Sequence, residues 1–174
     1  MANTYTLISS QTLSASASSV SFNSIPATYT DLLLRCSTRS DYATVPLLGA
    51  LRFNNDTGNN YSNRQIYWDN GSNALSSSNT ANNFVYSIAS PSSGVTANTF
   101  SNNDIYIPNY ASSNYKSFSN DGVAENNATT PIYMVMLAGL WSNTSAITSI
   151  TAFPGGGANF ISGSTFYLYG IKNS

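Results

Sequence analysis

Carboxylates are the residues of this chain that offer the clearest route to chemistry. The tripeptide 56–58 reads Asp-Thr-Gly, the active-site triplet of aspartic proteases, in which two such aspartates share a proton. Asp121 and Glu125 lie close enough in sequence to suggest the carboxylate pair of a glycosidase. The Asp-Thr-Gly triplet occurs only once, whereas an aspartic protease needs two such aspartates. Gly122 favours a turn between Asp121 and Glu125. The sequence therefore predicts plain turns at both places and no catalytic residue.

The loop 54–60 also contains hard oxygen ligands of the kind that calcium prefers. Asn54, Asp56 and Asn60 lie within seven residues of one another. The formal charge of this cluster is only −1, and no glutamate follows at the spacing of an EF-hand. A weak calcium site and a simple turn both remain open for this loop, and the prediction is that the protein holds no metal and no cofactor.

The composition excludes several other functions. Of 174 residues none is histidine, so neither a Ser-His-Asp triad nor a Cys-His pair can form within the chain. Cys36 is the only cysteine, which excludes an intrachain disulfide. Six Lys and Arg against seven Asp and Glu argue against nucleic acid and against anionic membranes as partners. The first residues do not form a secretory signal, and no apolar run is long enough for a membrane span, so we expect synthesis in a cytoplasm.

Aromatic side chains among Asn and Asp are the materials of a sugar-binding surface. Trp68, Tyr110 and Tyr115 are the candidate glycan contacts of this kind. Trp141 ends an apolar run, so core packing is favoured for it, whereas the sequence does not decide between core and surface for Trp68. Cys36 follows Leu34 by two positions, so both residues should lie on the buried face of a strand.

The elements that position these residues should be strands. The chain has 30 Ser, 23 Asn and 17 Thr but a single glutamate, a composition that cannot supply helices with charged outer faces. Short apolar or alternating runs recur between turn-forming clusters, which predicts an all-β, two-sheet antiparallel β-sandwich, jelly-roll-like, as a single domain over 1–174. The Ser- and Asn-rich stretch 70–83 is predicted to be a mobile surface loop. The eleven predicted strands are 5–8, 19–22, 31–38, 47–53, 65–68, 84–88, 104–107, 117–123, 133–141, 145–153 and 165–171.

Two of these runs are apolar on both faces. The run 133–141 is predicted to be a central strand that is covered on both faces. The run 165–171 should line the core with one face, while another subunit covers the second face. A tyrosine-rich outer face exposed to solvent is the alternative for this second face. The candidate contacts to a subunit or to a shell are Phe166, Tyr167, Tyr169 and Ile171.

Four segments resemble a group of small virion proteins of tailed bacteriophages, notably of marine and cyanobacterial phages. They are 4–8 (TYTLI), 22–32 (FNSIPATYTDL), 105–110 (IYIPNY) and 163–171 (GSTFYLYGI), so the resemblance spans nearly the whole chain. It implies a role in the particle and no enzymatic activity. The expected function is a head decoration or cement protein that binds the assembled shell as a homotrimer, with the major capsid protein or another virion protein as its partner. The alternative is a tail-fibre or receptor-binding tip that recognises host surface glycans.

Overall fold

The protein is an all-β structure in the computed structural model, which describes residues 4–44, 48–68, 73–128 and 133–172. A single 3₁₀ turn, Gly155–Gly157, is the helical element of these residues. Within the described ranges, therefore, no helix is long and apolar enough to cross a membrane. The scarcity of helix formers in the sequence is the physical reason for this architecture.

Twelve strands occupy the described residues. They are β1 (Thr4–Thr12), β2 (Val20–Phe22), β3 (Asp31–Ser37), β4 (Gly49–Phe53), β5 (Tyr61–Trp68), β6 (Leu75–Asn82), β7 (Val85–Ile88), β8 (Asn102–Ile107), β9 (Lys116–Ala124), β10 (Tyr133–Trp141), β11 (Ile150–Phe153) and β12 (Thr165–Lys172).

The strands form two antiparallel sheets. The large sheet has the order β1-β12-β3-β8-β9-β10-β5-β6, and the small sheet has the order β2-β11-β4-β7. The chain passes repeatedly from one sheet to the other, and side chains from both sheets share one core. This confirms the predicted two-sheet antiparallel sandwich. The assignment of 1–174 to one domain stays a prediction.

An aromatic cluster in the core joins the two sheets. Phe53 of the small sheet packs edge-on against Phe118 at 5.3 Å and against Trp141 at 5.7 Å between ring centroids. Tyr61 stacks on Trp141 at 6.4 Å. Position 139 favours glycine, because a Cβ there would lie 2.2 Å from Cζ of Phe118 and the ring would have to shift. The buried Trp141 confirms the core interpretation of that residue.

The structure corrects the prediction for β10. Its burial alternates along the strand, and Met134 and Met136 are 51% and 66% exposed, so the strand is not covered on both faces. The small sheet packs against only one side of the large sheet, which leaves the opposite side of β10 open. The apolar run is therefore a central strand with one uncovered apolar face.

The structure also corrects the predicted loop 70–83. Leu75–Asn82 forms β6, which pairs with β5 at the edge of the large sheet. Backbone hydrogen bonds hold such a strand whatever its side chains are, and Ser, Thr and Asn tolerate the solvent-facing edge. Residues 70–72 of that predicted loop and residue 47 of the predicted strand 47–53 lie outside the described residues.

Candidate binding face

The Asp-Thr-Gly triplet is a structural turn. Oδ1 of Asp56 accepts a hydrogen bond from the backbone N–H of Gly58 at 2.8 Å. Oδ2 accepts hydrogen bonds from Nδ2 of Asn60 and Nε1 of Trp141, both at 2.8 Å, and a longer one from Asn143 at 3.4 Å. Burial opposes ionisation, but the hydrogen bonds from Asn60, Trp141 and Gly58 outweigh it and lower the pKa of Asp56. This carboxylate therefore anchors the loop to a core tryptophan.

The oxygen ligands predicted for calcium do not converge. Oδ1 of Asn54 accepts hydrogen bonds from the backbone N–H groups of Thr148 and Ser149, at 2.8 and 3.1 Å. The amide of Asn60 points its nitrogen, which is not a ligand, toward Asp56. Among the described residues, no three Asp, Glu or Cys side chains are placed to hold a metal ion. The geometry favours the simple turn over the calcium site.

Asp121 and Glu125, the acids considered as a glycosidase pair, are also separated. Asp121 lies on the outer face of β9, whereas Glu125 follows the strand and accepts a hydrogen bond from the N–H of Asn127 at 2.7 Å. Gly122 lies inside β9, so the turn predicted between these two acids is wrong, and the extended chain separates their Cα atoms by about 13 Å. The register instead sets Asp121 opposite Asp104 of β8.

The three predicted glycan contacts do not form a common site. Tyr110 is fully buried, and its hydroxyl donates a hydrogen bond to the carbonyl of Pro26, so its assignment as a glycan contact is wrong. Its ring fills the core because the turn after β8 directs it inward. Trp68 is half-buried on β5, opposite Met134. Tyr115 is 59% exposed in the turn before β9.

The four predicted subunit contacts of β12 divide into two groups. Phe166 is fully buried and packs edge-on against Phe160 at 5.1 Å, so it is a core residue and its assignment as a contact is wrong. Ile171 is also buried by its own chain and is not available to a partner. Tyr167 and Tyr169 are half-buried on the outer side of the strand. Cys36 is buried as predicted, and burial raises the pKa of its thiol.

A groove of about 950 Å³ crosses the outer face of the large sheet, and no sequence pattern predicted it. Its floor contains the small residues Ser119 and Ala138, which lie opposite each other on β9 and β10. Larger side chains on the strands at either side form the walls of the groove. We call this feature the outer groove; its lining residues are Tyr5, Leu33, Arg35, Arg64, Gln65, Ile66, Asp104, Tyr106, Ser119, Asn120, Asp121, Met136, Leu137, Ala138 and Tyr169.

Four of these lining residues carry charge, and their charges cancel. Arg35 donates to both carboxylate oxygens of Asp104, from Nε at 2.7 Å and from a terminal nitrogen at 2.6 Å. The hydrogen bond and the charge of Asp104 raise the pKa of Arg35. The side chains of this pair are 52% and 35% exposed, so the pair remains accessible from the groove. Arg64 and Asp121 complete the set.

One wall of the outer groove is held by a hydrogen-bonded tyrosine. The hydroxyl of Tyr106 donates to Oδ2 of Asp31 at 2.7 Å, while the N–H of Asn109 donates to Oδ1 at 2.9 Å. Burial and the contact with Asp31 raise the pKa of Tyr106 to about 12. The hydroxyl therefore stays protonated and keeps donating at neutral pH. Tyr169 lies on the same cross-strand row, with Leu33 between the two tyrosines.

The other wall continues into an exposed apolar surface. We call this surface the apolar patch and define it by the outward side chains Val123, Met134, Met136, Ile66 and Trp68 of β9, β10 and β5. Apart from the half-buried Trp68, each of them is at least 41% exposed. The alternation of Met134 and Met136 was visible in the sequence, but the uncovered side of β10 was not.

Comparisons of this chain with protein-family models, with curated proteins and with solved structures find no match. The resemblance to phage virion proteins therefore stays a prediction. The fold and the outer face of the large sheet are the features from which a function can be argued.

Proposed function

We propose that this chain is a non-enzymatic structural protein of a tailed-phage particle. It is made in the host cytoplasm and attaches to the assembled head as a decoration or cement protein. Its partners are further copies of itself, as a homotrimer, and the major capsid protein or another virion protein. The single observation that carries this proposal is the apolar patch on the outer face of the large sheet.

The patch has the properties of a protein contact surface. Soluble monomers rarely expose large contiguous apolar areas, and such areas mark interaction sites. Two of the five side chains are methionines, whose flexible thioethers adapt to the shape of a partner. The row Val123, Met134 and Trp68 runs across three neighbouring strands, so the surface is continuous rather than scattered.

A second candidate function is favoured by the outer groove. A tail-fibre or receptor-binding tip must hold a host glycan, and the groove offers tyrosine rings beside charged, planar side chains. This function is non-enzymatic as well, and it also places the protein in the virion. The two candidates differ in location on the particle, and they use neighbouring parts of the outer face that share Ile66 and Met136.

A double variant tests the decoration function. Val123→Asp with Met134→Lys places charges at two of the five patch positions, and because these residues are opposite each other the new charges attract and preserve the fold. We expect unchanged circular dichroism, at least about tenfold weaker binding to undecorated heads in a sedimentation assay, and a smaller oligomer by light scattering. Ser117→Lys is the matched control, on the outer face of β9 and about 20 Å from Val123.

Location on the particle is tested by gold-labelled antibody on intact virions. Label over the head supports decoration, and label at the tail tip supports the second candidate. Particles without label contradict both. Undiminished binding of the double variant to heads contradicts the role of the apolar patch.

A further inference from the structure

We propose that the outer groove binds a linear, uncharged glycan chain, lying along β9 and β10 over Ser119 and Ala138. This inference deepens the second candidate function, since it names the ligand class and the residues, and it rests on the protein being a binding protein. It replaces the sequence-based set of Trp68, Tyr110 and Tyr115 with groove residues.

The charges of the groove favour a neutral ligand. Arg35 and Arg64 are balanced by Asp104 and Asp121, so the groove has no net charge. A phosphate backbone or a polyanionic sugar would approach both aspartates without a surplus of arginine to compensate. A hydroxyl-rich neutral chain can instead accept hydrogen bonds from guanidinium groups and donate them to carboxylates. The exposed Arg35–Asp104 pair presents both kinds of group side by side.

The walls of the groove favour a ligand with apolar faces as well as hydroxyls. Tyr106 and Tyr169 lie on one side of the floor, and Met136 and Ile66 lie on the other side. Sugar rings combine apolar C–H faces with a polar rim, which suits tyrosine because its ring is apolar and its tip is polar. The hydrogen bond from Tyr106 to Asp31 holds this wall in place before a ligand arrives.

The backbone of the groove argues against an extended peptide. A peptide binds sheets most simply by adding a strand to an open edge. The strands beneath the groove and its tyrosine wall, β3, β8, β9 and β10, each have hydrogen-bonded neighbours on both sides. Only side chains therefore face the groove, and recognition must use rings, guanidinium groups and carboxylates, as in a glycan site.

The test is calorimetric titration of the purified full chain with linear hexamers of glucose, galactose, mannose and N-acetylglucosamine, and of galacturonate as the anionic probe. We expect at least one neutral hexamer to bind at concentrations up to about 10 mM, and galacturonate to bind more weakly. Tyr106→Ala should weaken that binding at least about tenfold, and Tyr106→Phe, which keeps the ring, should weaken it less. Tyr115→Ala is the matched control, because Tyr115 is an exposed tyrosine outside the groove, and it should leave affinity unchanged.

A substitution that changes the net charge of the groove provides an independent check of the preference for a neutral ligand. Asp121→Asn gives the groove a net positive charge, so galacturonate should bind more tightly while the neutral hexamer changes little. The inference is overturned if no neutral hexamer binds, if galacturonate binds best to the unmodified chain, or if Tyr115→Ala weakens binding as much as Tyr106→Ala. These outcomes do not depend on the antibody labelling of the virion, so the failure of either proposal can be recognised separately.

Discussion

The hydrogen bond between Trp141 and Asp56 supports a quantitative prediction about stability. Nε1 of the fully buried Trp141 donates to Oδ2 of Asp56 at 2.8 Å. Asp56→Ala removes the acceptor, and Trp141→Phe removes the donor while keeping an aromatic ring in the cluster with Phe53 and Tyr61. The double variant completes a thermodynamic cycle that isolates this one contact.

The expected magnitude follows from the chemistry of the pair. A hydrogen bond to a charged group contributes about 1.5–3 kcal/mol, so the coupling free energy should be about 2 kcal/mol. Asp56→Ala should lower the free energy of unfolding by about 2–3 kcal/mol, because the N–H of Gly58 and the amide of Asn60 also lose their acceptor. Proteins of this kind are stable by about 5–15 kcal/mol, so the variants should remain folded.

The assay is urea unfolding followed by circular dichroism, which does not depend on the tryptophan being replaced. Asp104→Ala is the control, since it removes a half-exposed ion pair and should cost at most about 1 kcal/mol. A coupling free energy below about 0.5 kcal/mol between Asp56 and Trp141 would refute the reasoning.

The hydrogen bond between Trp141 and Asp56 also determines how the free energy of unfolding changes at acid pH. The pKa of Asp56 is lower in the folded state than in the unfolded chain, where it is about 3.9. The ionised carboxylate therefore contributes its full stabilisation of the fold above the unfolded pKa, and this stabilisation is lost as the pH falls through the folded pKa. Hydrogen bonds from the backbone and the side chain of Asn159 lower the pKa of Asp41 in the same direction. Acidification below about pH 4 should therefore destabilise the unmodified chain more than Asp56→Ala.

Two further variants test the packing of the sandwich. Gly139→Ala places a methyl group 2.2 Å from Phe118 and should lower the free energy of unfolding in urea by about 1–3 kcal/mol. Ala138→Ser, on the exposed face of the same strand, should lower it little. Equal stability of both variants would contradict the packing of Gly139 against Phe118. Arg39 is buried and donates to the carbonyls of Val95, Thr96 and Thr99 at 2.7–3.1 Å. Arg39→Met should therefore lower the free energy of unfolding by about 2–4 kcal/mol and speed proteolysis within 95–99. Arg52→Met, at a half-buried arginine, is the control, and unchanged cleavage of Arg39→Met would show that Arg39 does not hold this segment.

Several features were predictable because local composition determines them. A chain rich in Ser, Asn and Thr, with one glutamate, cannot form amphipathic helices, so the all-β sandwich followed from composition and alternation. Cys36 and Trp141 were recognised as core residues from their place in apolar runs. The turn at Asp56 followed from residues that tolerate such geometry, and its neighbours Asn54 and Asn55 do have positive φ values.

Tertiary structure alone decided which faces of the strands are covered and which residues meet. Met134 belongs to an apolar run and Tyr110 follows Pro108 and Asn109 in a polar turn, yet Met134 is exposed and Tyr110 is fully buried. The difference arises because the small sheet packs on one side of the large sheet only, and no local pattern specifies that side. The outer groove depends in the same way on register, which brings together Arg35, Asp104 and Asp121 from three strands that are distant in sequence.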